Sequence, residues 1–317
     1  MTQKRTLVGL DIAKGKIDAA IRPVGAEASF ANDAAGRRQL LDWLAGHGVG
    51  KAVMEASGGY ERAWAGLLRA AGLEVVVVDP KRVRHFAKSA GRLAKNDPID
   101  ARMIAWFGEV FEDTSGQVAD EDRQELDQLV MARLGVVRLK ALVESWGEHE
   151  QPKAVQKIHQ ALLKAIAVQL AKLETVIAAR IAKVERFARQ AEILHSVPGL
   201  GDAAVAGLIA LLPELGRVDR QAAAALLGVA PYDDDSGERR GQRHIVGGRR
   251  KLRTLLYMPI LSAIQHNPVL KAYYQRLRAK GKKPKVALVA CLRKLIGILN
   301  TMLLRSEKWN PAKHAIA

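Results

Sequence analysis

Between Ala154 and Gln190 the chain reads AVQKIHQALLKAIAVQLAKLETVIAARIAKVERFARQ, with Leu, Ile, Val and Ala recurring at helical spacing. A helix of nearly forty residues is longer than globular packing usually supports. The segment ELDQLVMARLGVVRLKALVESW before it carries the same periodicity, and Pro152 separates the two. From about Ala119 to Gln190 the pattern predicts an α-helical coiled-coil hairpin with no strand in it. A lone long hairpin cannot bury its apolar stripe, so a second copy of the chain is expected to pair with it.

The first hundred residues have a different texture. TLVGLDIA and KIDAAIRP are short apolar runs joined by a tight KG, which predicts a β-hairpin, and EASFAND reads as a third strand. GRRQLLDWLAGHG has helical apolar spacing closed by glycine. KAVMEAS is a strand, YERAWAGLLRAAG a helix, and LEVVVVDP a β-branched buried strand stopped by Pro80. DPIDARMIAWFGEVF is a further helix. Three antiparallel strands, then strand, helix, strand, helix, is the order of an α/β ribonuclease H-like domain. It would span residues 1–115, the hairpin 116–190, and a mainly α-helical C-terminal domain 191–317.

At 317 residues the chain is too long for one small core, and its 49% apolar and 26% charged residues are the balance of a folded protein. The single cysteine, Cys291, excludes an intrachain disulfide and a cysteine zinc cluster, and fits a reducing compartment. The N-terminus MTQKRTLVGLDIAKGK lacks a signal-type apolar core, and no run of 18 uncharged apolar residues occurs. A cytoplasmic protein that does not engage a membrane is expected.

The net charge of +17 is concentrated. From Ser236 to Lys294 there are sixteen Lys or Arg against one acid, Glu238. Solvated helix faces usually mix both signs, whereas a one-signed cluster repels itself unless a polyanion lies nearby, so nucleic acid is the expected partner. Arg249, Arg250, Lys251, Lys282, Lys283 and Lys285 are candidate phosphate contacts. Upstream, VPGLG before a helix resembles the turn of a helix-hairpin-helix element, where Gly199 and Gly201 would bring backbone N–H groups to a phosphate. Short Pro-Gly-x-Gly turns also serve as plain connectors.

Four acids stand where chemistry could use them. Asp11 lies in the first strand, Glu55 ends the fourth, and Asp97 and Asp100 are spaced i and i+3 at a helix start. An acid at the end of an apolar strand is costly to bury unless paired or metal-bound. Converging carboxylates repel one another, and divalent cations relieve that repulsion. Mg²⁺, with Mn²⁺ as a substitute, suits such all-oxygen sites, and two ions about 3.5–4 Å apart are the usual machinery of phosphodiester displacement. Each acid also has a structural role open to it: Asp97 before Pro98 could cap a helix with Asp100 favouring its dipole, and Asp11 or Glu55 alone could be a turn or strand-end acid. Asp18, Asp33, Asp42 and Asp79 have equal standing taken singly.

The stretch PYDDDSGERRGQRHIVGGRRKLRTLLYM holds one serine, Ser236, between three aspartates and a run of arginines. Asp, Ser and Gly are ordinary turn residues, yet the same hydroxyl could be a nucleophile aimed at a phosphodiester.

GLDIAKGKID, VMEASGGY, KNDPIDARMIAWF, SVPGLGDAAVAGLIALL, LLGVAPYDDDSGERRG and GGRRKLRTLLYMPIL, in that order, resemble the insertion-sequence one-ten family of transposases, which groups with the pilin-gene invertase. The likeness runs from about Leu7 to Leu304. It implies a RuvC-like N-terminal domain with Asp11, Glu55, Asp97 and Asp100 as its acid set, a coiled-coil hairpin, and a transposase domain with Ser236 as catalytic serine. It further implies that Ser236 attacks double-stranded DNA, donor and target, and becomes joined to one strand end. Arg239, Arg240 and Arg243 would hold the scissile phosphate. A non-coding bridge RNA would pair with both DNAs, a homodimer would assemble into a tetramer, and the bacterial protein would work at the nucleoid. Asp233, Asp234 and Asp235 make the approach to the serine more acidic than the family pattern.

Three other functions fit parts of the same sequence. A RuvC-like Holliday-junction nuclease would use the four acids and water, without the serine. An actin-like sugar kinase would share GLDIAKGKID but needs a second phosphate-binding glycine loop that is not evident. An architectural protein would only bridge nucleic acids.

Overall fold

The computed structural model describes residues 6–57, 59–91, 97–111, 120–147, 149, 151–234, 241 and 243–314; the side chains of 97–99 and of residue 314 stand outside this set. The chain divides into two compact units, Met1–Asp120 and Glu121–Ala317.

The first unit is built on strands β1 (Leu7–Ile12), β2 (Lys16–Arg22), β3 (Glu27–Ala31), β4 (Lys51–Glu55) and β5 (Glu74–Val78). Helix α1 (Ala34–Gly46) follows β3, α2 (Tyr60–Ala70) joins β4 to β5, and α3 (Pro80–Ser89) and α4 (Asp97–Val110) follow β5. The strands form one sheet in the order β3-β2-β1-β4-β5, antiparallel from β3 to β1 and parallel from β1 to β5. Mixed direction follows from the connections: a tight turn joins β1 to β2, whereas β4 reaches β5 through a helix. The arrangement is consistent with the ribonuclease H-like order that the sequence predicts.

Both faces of the sheet are covered, which is why the central strand LVGLDI is almost continuously apolar. On one face Val8, Leu10, Ile17, Ile21 and Met54 pack with Leu40 and Leu44 of α1 and with Trp64 and Leu68 of α2. On the other, Val53, Val76 and Val78 meet Val83 of α3 and Met103, Ile104 and Phe107 of α4. Each such side chain, fully buried, contributes about 1.5–3 kcal/mol. Gly9 lets α4 approach most closely, because the space a Cβ would fill is taken by the Ala101 carbonyl and the Ala105 amide.

The second unit opens with α5 (Glu121–Trp146) and α6 (Lys153–Lys183), an antiparallel pair. Arg180 near the end of α6 reaches Asp122 at 2.8 Å, Arg133 meets Glu174 at 2.6 Å, and the rings of Trp146 and His159 lie 6.0 Å apart. The helix of nearly forty residues expected from the sequence is divided: Val184 is extended (φ −104°, ψ 105°), ends α6 and begins α7 (Glu185–His195). The break turns Phe187, Ala191 and Leu194 into the core of the unit.

The unit continues through α8 (Asp202–Leu211), α9 (Arg220–Leu227), a two-stranded hairpin of β6 (Pro231–Tyr232) and β7 (His244–Ile245), α10 (Arg250–Leu255), α11 (Tyr257–His266), α12 (Pro268–Ala279), α13 (Pro284–Arg305) and α14 (Pro311–His314). Helix α13 is long and apolar enough to cross a membrane by length and composition, but its apolar side chains from Leu288 to Met302 are the buried centre of this unit. Cys291 lies among them, and burial pushes its thiol up to about 11, with Lys294 opposing.

Candidate active site

Strands β1 and β4 run in parallel, and their last register pair is Leu10 with Met54. Asp11 and Glu55 each follow one residue later, at the C-terminal ends of neighbouring strands. Side chains alternate along a strand, so Asp11 shares a face with Leu7 and Gly9, and Glu55 with Val53. That face is the one α4 covers, through Ala101 and Ala105 over Leu7 and Gly9 and Gly108 over Val53.

The direction of α4 settles which end carries its acids. Glu109, near its C-terminus, accepts a 2.6 Å hydrogen bond from Arg22, the register partner of Leu7 at the start of β1. The first turn of α4, with Asp97 and Asp100, therefore lies toward the Asp11 end. Three elements thus bring Asp11, Glu55 and the start of α4 to one edge of the sheet. Asp11, Glu55 and Asp100 are partly exposed. Among the described residues no group of three or more His, Cys, Asp or Glu is gathered tightly enough to hold a metal ion; the Asp97 carboxylate is not in that set. The donors nevertheless fit a hard divalent cation: they are carboxylate oxygens only, at an open edge where the ion could keep its waters.

Asp18 is a fifth acid at this edge. It is the register partner of Asp11, so the two project from the same face, and it is 4% exposed. The Ser29 hydroxyl donates to it and Lys16 Nζ stands 3.1 Å away, so its charge is offset locally. The register of a hairpin closed by a short turn was the signal that could have singled it out.

Glu61, in the first turn of α2, shapes the loop after Glu55. Its Oε2 accepts from the Ser57 N–H at 2.9 Å, the Ser57 hydroxyl at 3.1 Å and the Gly59 N–H at 2.8 Å. Burial pushes this carboxyl up, and donation from Glu61's own N–H, from Gly59 and from Ser57 outweighs it, leaving the group below the ordinary carboxylate value.

Ser236, Arg239 and Arg240 lie outside the described residues. The strands that bracket them are described: Pro231 pairs with Ile245 and Tyr232 with His244. Asp233 pairs with Arg243, and Asp234 stands 3.4 Å from His244. Two of the three aspartates before the serine thus have partners across the hairpin, and the Arg243 pair is exposed to solvent.

The remaining candidates separate into two groups. Arg250, Lys251, Lys282, Lys283 and Lys285 are exposed. Arg249 instead makes two 2.6 Å hydrogen bonds to Glu214. Gly199 has φ +97°, and a Cβ there would come within 2.6 Å of Ala263 Cα, so packing against α11 explains it. Gly201 precedes α8 in open space, yet the next residue, Asp202, sets a carboxylate at the helix start, 3.6 Å from His195.

Helix α3 was not foreseen. Asp79 caps it by accepting from the Lys81 N–H at 2.8 Å, and Pro80 takes its first position. It starts from the same sheet edge as the acids, because β5 is parallel to β4. Lys81, Arg84 and Lys88 are exposed along it, with Val83 turned to the core.

Residues 8–143 match the DEDD transposase domain of IS110 elements, and residues 191–275 match the transposase family IS116/IS110/IS902. A sheet edge lined with acids, followed by a helical transposase domain, defines the class: a transposase, an enzyme that cuts and rejoins DNA. Within that class the chain belongs to the IS110 family. It is 23% identical to the pilin gene-inverting protein of Moraxella lacunata over 98% of this chain and 99% of that protein. It is 33% identical to an uncharacterized 44.8 kDa protein of insertion element IS116 from Streptomyces clavuligerus, over 39% of this chain and 31% of the relative. A 42 kDa protein of insertion element IS900 from Mycobacterium paratuberculosis is 31% identical over 50% of this chain and 41% of its own length. The DEDD domain suggests dependence on a divalent metal.

Proposed function

We propose that this transposase breaks and reseals DNA through Ser236. The Ser236 oxygen attacks the scissile phosphorus, and a serine–phosphate bond forms as the bond to one strand's oxygen breaks. The serine proton passes to a carboxylate of the acid set, and the departing strand end takes up a proton to become a free hydroxyl. Attack by a strand hydroxyl on the serine phosphate reverses these steps, frees Ser236 and seals the DNA without ATP. Asp11, Glu55, Asp97 and Asp100 would hold Mg²⁺, with Mn²⁺ as a substitute, and the bound ion would offset charge building on the phosphate. The supporting observation is the convergence of Asp11, Glu55 and the first turn of α4 on one edge of a ribonuclease H-like, RuvC-like sheet.

A non-coding bridge RNA is the proposed source of sequence choice, leaving the protein to read backbone shape and charge. The working unit is a dimer joined through coiled-coil pairing of the α5–α6 arm, two of which assemble into a tetramer on donor and target DNA. It acts away from membranes, in the cytoplasm at the nucleoid. Three functional parts follow: residues 1–115 for the acids, 116–190 for dimerisation, and 191–317 for the serine.

The test is a denaturing gel of protein with labelled DNA, the element's RNA and Mg²⁺. The wild type should give a covalent protein–DNA adduct, and Ser236→Ala and Asp11→Asn should each abolish it. Undiminished cutting by Ser236→Ala would replace this mechanism with a RuvC-like junction nuclease using water.

A further inference from the structure

The structure assigns Arg249 and Arg253 a positioning role, in which they clamp the β6–β7 hairpin to the end of α9 and do not contact nucleic acid. Both belong to GGRRKLR, where charge alone would make every basic residue a phosphate contact. The catalytic consequence rests on the proposed role of Ser236, which the two strands bracket in sequence; the clamp itself does not.

Arg253, on α10, directs Nη1 to the Gly228 carbonyl at 3.0 Å, the Gly247 carbonyl at 3.0 Å and the Leu227 carbonyl at 3.3 Å. Leu227 and Gly228 end α9, where outward-facing carbonyls need donors and a cation is favoured. Gly247 belongs to the segment leaving β7, so one guanidinium ties that segment to the helix from which the chain enters β6. Gly228 and Gly248 lie in direct contact there, with no room for a Cβ on either.

Arg249 extends the clamp. Its backbone N–H donates to Leu226 at 2.8 Å, and its side chain forms the paired bonds to Glu214. Burial pushes the Glu214 carboxyl up, but Arg249 outweighs it and holds the group below the usual carboxylate range. Glu214 is itself anchored, since the following turn is fixed to α13 by Asn300. That buried side chain accepts from the Gly216 N–H and donates to the Val218 carbonyl, each at 2.7 Å. A fork of two parallel N–H groups cannot be reproduced by lysine. Arg250 and Lys251, beside it and exposed, keep their charge for solvent or phosphate.

The test compares Arg249→Gln and Arg253→Gln with Arg250→Gln and Lys251→Gln in the full chain, by amide hydrogen exchange, salt-dependent DNA binding and adduct formation. The clamp variants should speed exchange at residues 229–234 and 243–248 about tenfold, leave DNA affinity and its salt slope unchanged, and lower the rate of adduct formation about tenfold without a matching rise in KM. Arg250→Gln and Lys251→Gln should do the reverse, each lowering the salt slope by about one with exchange unchanged. The assignment is overturned if Arg249→Gln and Arg253→Gln reduce affinity and salt slope while exchange stays as in the wild type. Should a clamp variant fail to fold, Glu214→Gln serves instead: faster exchange at unchanged DNA affinity supports the clamp, and unchanged exchange sinks it. Failure of the serine mechanism would be seen separately, as an adduct persisting in Ser236→Ala, and would leave the exchange result intact.

Discussion

Glu61 gathers three donors of the loop after β4 onto one oxygen, and that loop begins one residue past Glu55. A depressed carboxyl stabilises the fold above its ordinary value near 4.5, and that contribution disappears as pH falls through the lower folded value. Glu61→Gln keeps the volume but puts a weaker acceptor, or an amide donor, against those N–H groups. Thermal unfolding at pH 7 should show a loss of about 1–3 kcal/mol for the variant, shrinking as pH falls below the ordinary carboxylate value and the wild-type carboxyl also protonates. An equal gap at neutral and acid pH would refute the charged role. Asp11 and Glu55 stand out in the sequence by their place, in the first and fourth strands of a ribonuclease H-like order. Asp18 sits in an equally apolar strand and Glu61 at an ordinary helix start, so neither is set apart by its own neighbourhood. What matters there is register and loop geometry, which only pairing fixes. The ion pair of Arg249 is hidden for a similar reason, since its partner Glu214 lies 35 positions away.

At the scale of elements, the strands were the most readable part, because runs such as VVVV and LVGL must be covered on both faces. Helix α3 is hidden in the sequence although Asp79–Pro80 carries the same cap chemistry as Asp97–Pro98: a Pro after a strand reads as a stop and is here also the first residue of a helix. Similarly, apolar periodicity runs unbroken through Val184, because a single extended residue costs little when the turn it makes buries Phe187. The exposed cations of α3 start at the acid edge, which suits them to the phosphates of a strand reaching that edge. Changing Lys81, Arg84 and Lys88 together to Ala should lower the slope of log affinity against log salt by about two to three, with a loss of stability under ~1 kcal/mol. An unchanged slope, read by fluorescence anisotropy from low to moderate salt, would remove α3 from the DNA surface.

The whole molecule raises a question of coverage. Leu139, Leu142 and Trp146 on α5 and Val155, Ile158 and Leu162 on α6 are 36–66% exposed. Because the helices are antiparallel, these six lie together in the half of the arm nearest the turn at Pro152. Full burial of such a side chain is worth about 1.5–3 kcal/mol, so covering the exposed half recovers about 1 kcal/mol each. Twelve from two copies give roughly 12 kcal/mol, within the ~4–15 kcal/mol that association costs, so pairing through this patch alone should be reversible and concentration-dependent. Sedimentation velocity of nucleic-acid-free protein should accordingly show a dimer fraction rising with concentration. Leu142→Glu with Ile158→Glu would set like charges on both copies of the patch and should leave monomer throughout, while changing thermal stability by less than ~1 kcal/mol because neither side chain is in the core. A wild type that stays monomeric at every concentration tested would mean the arm waits for a different partner, and the dimer would then have to be assembled on the nucleic acid itself.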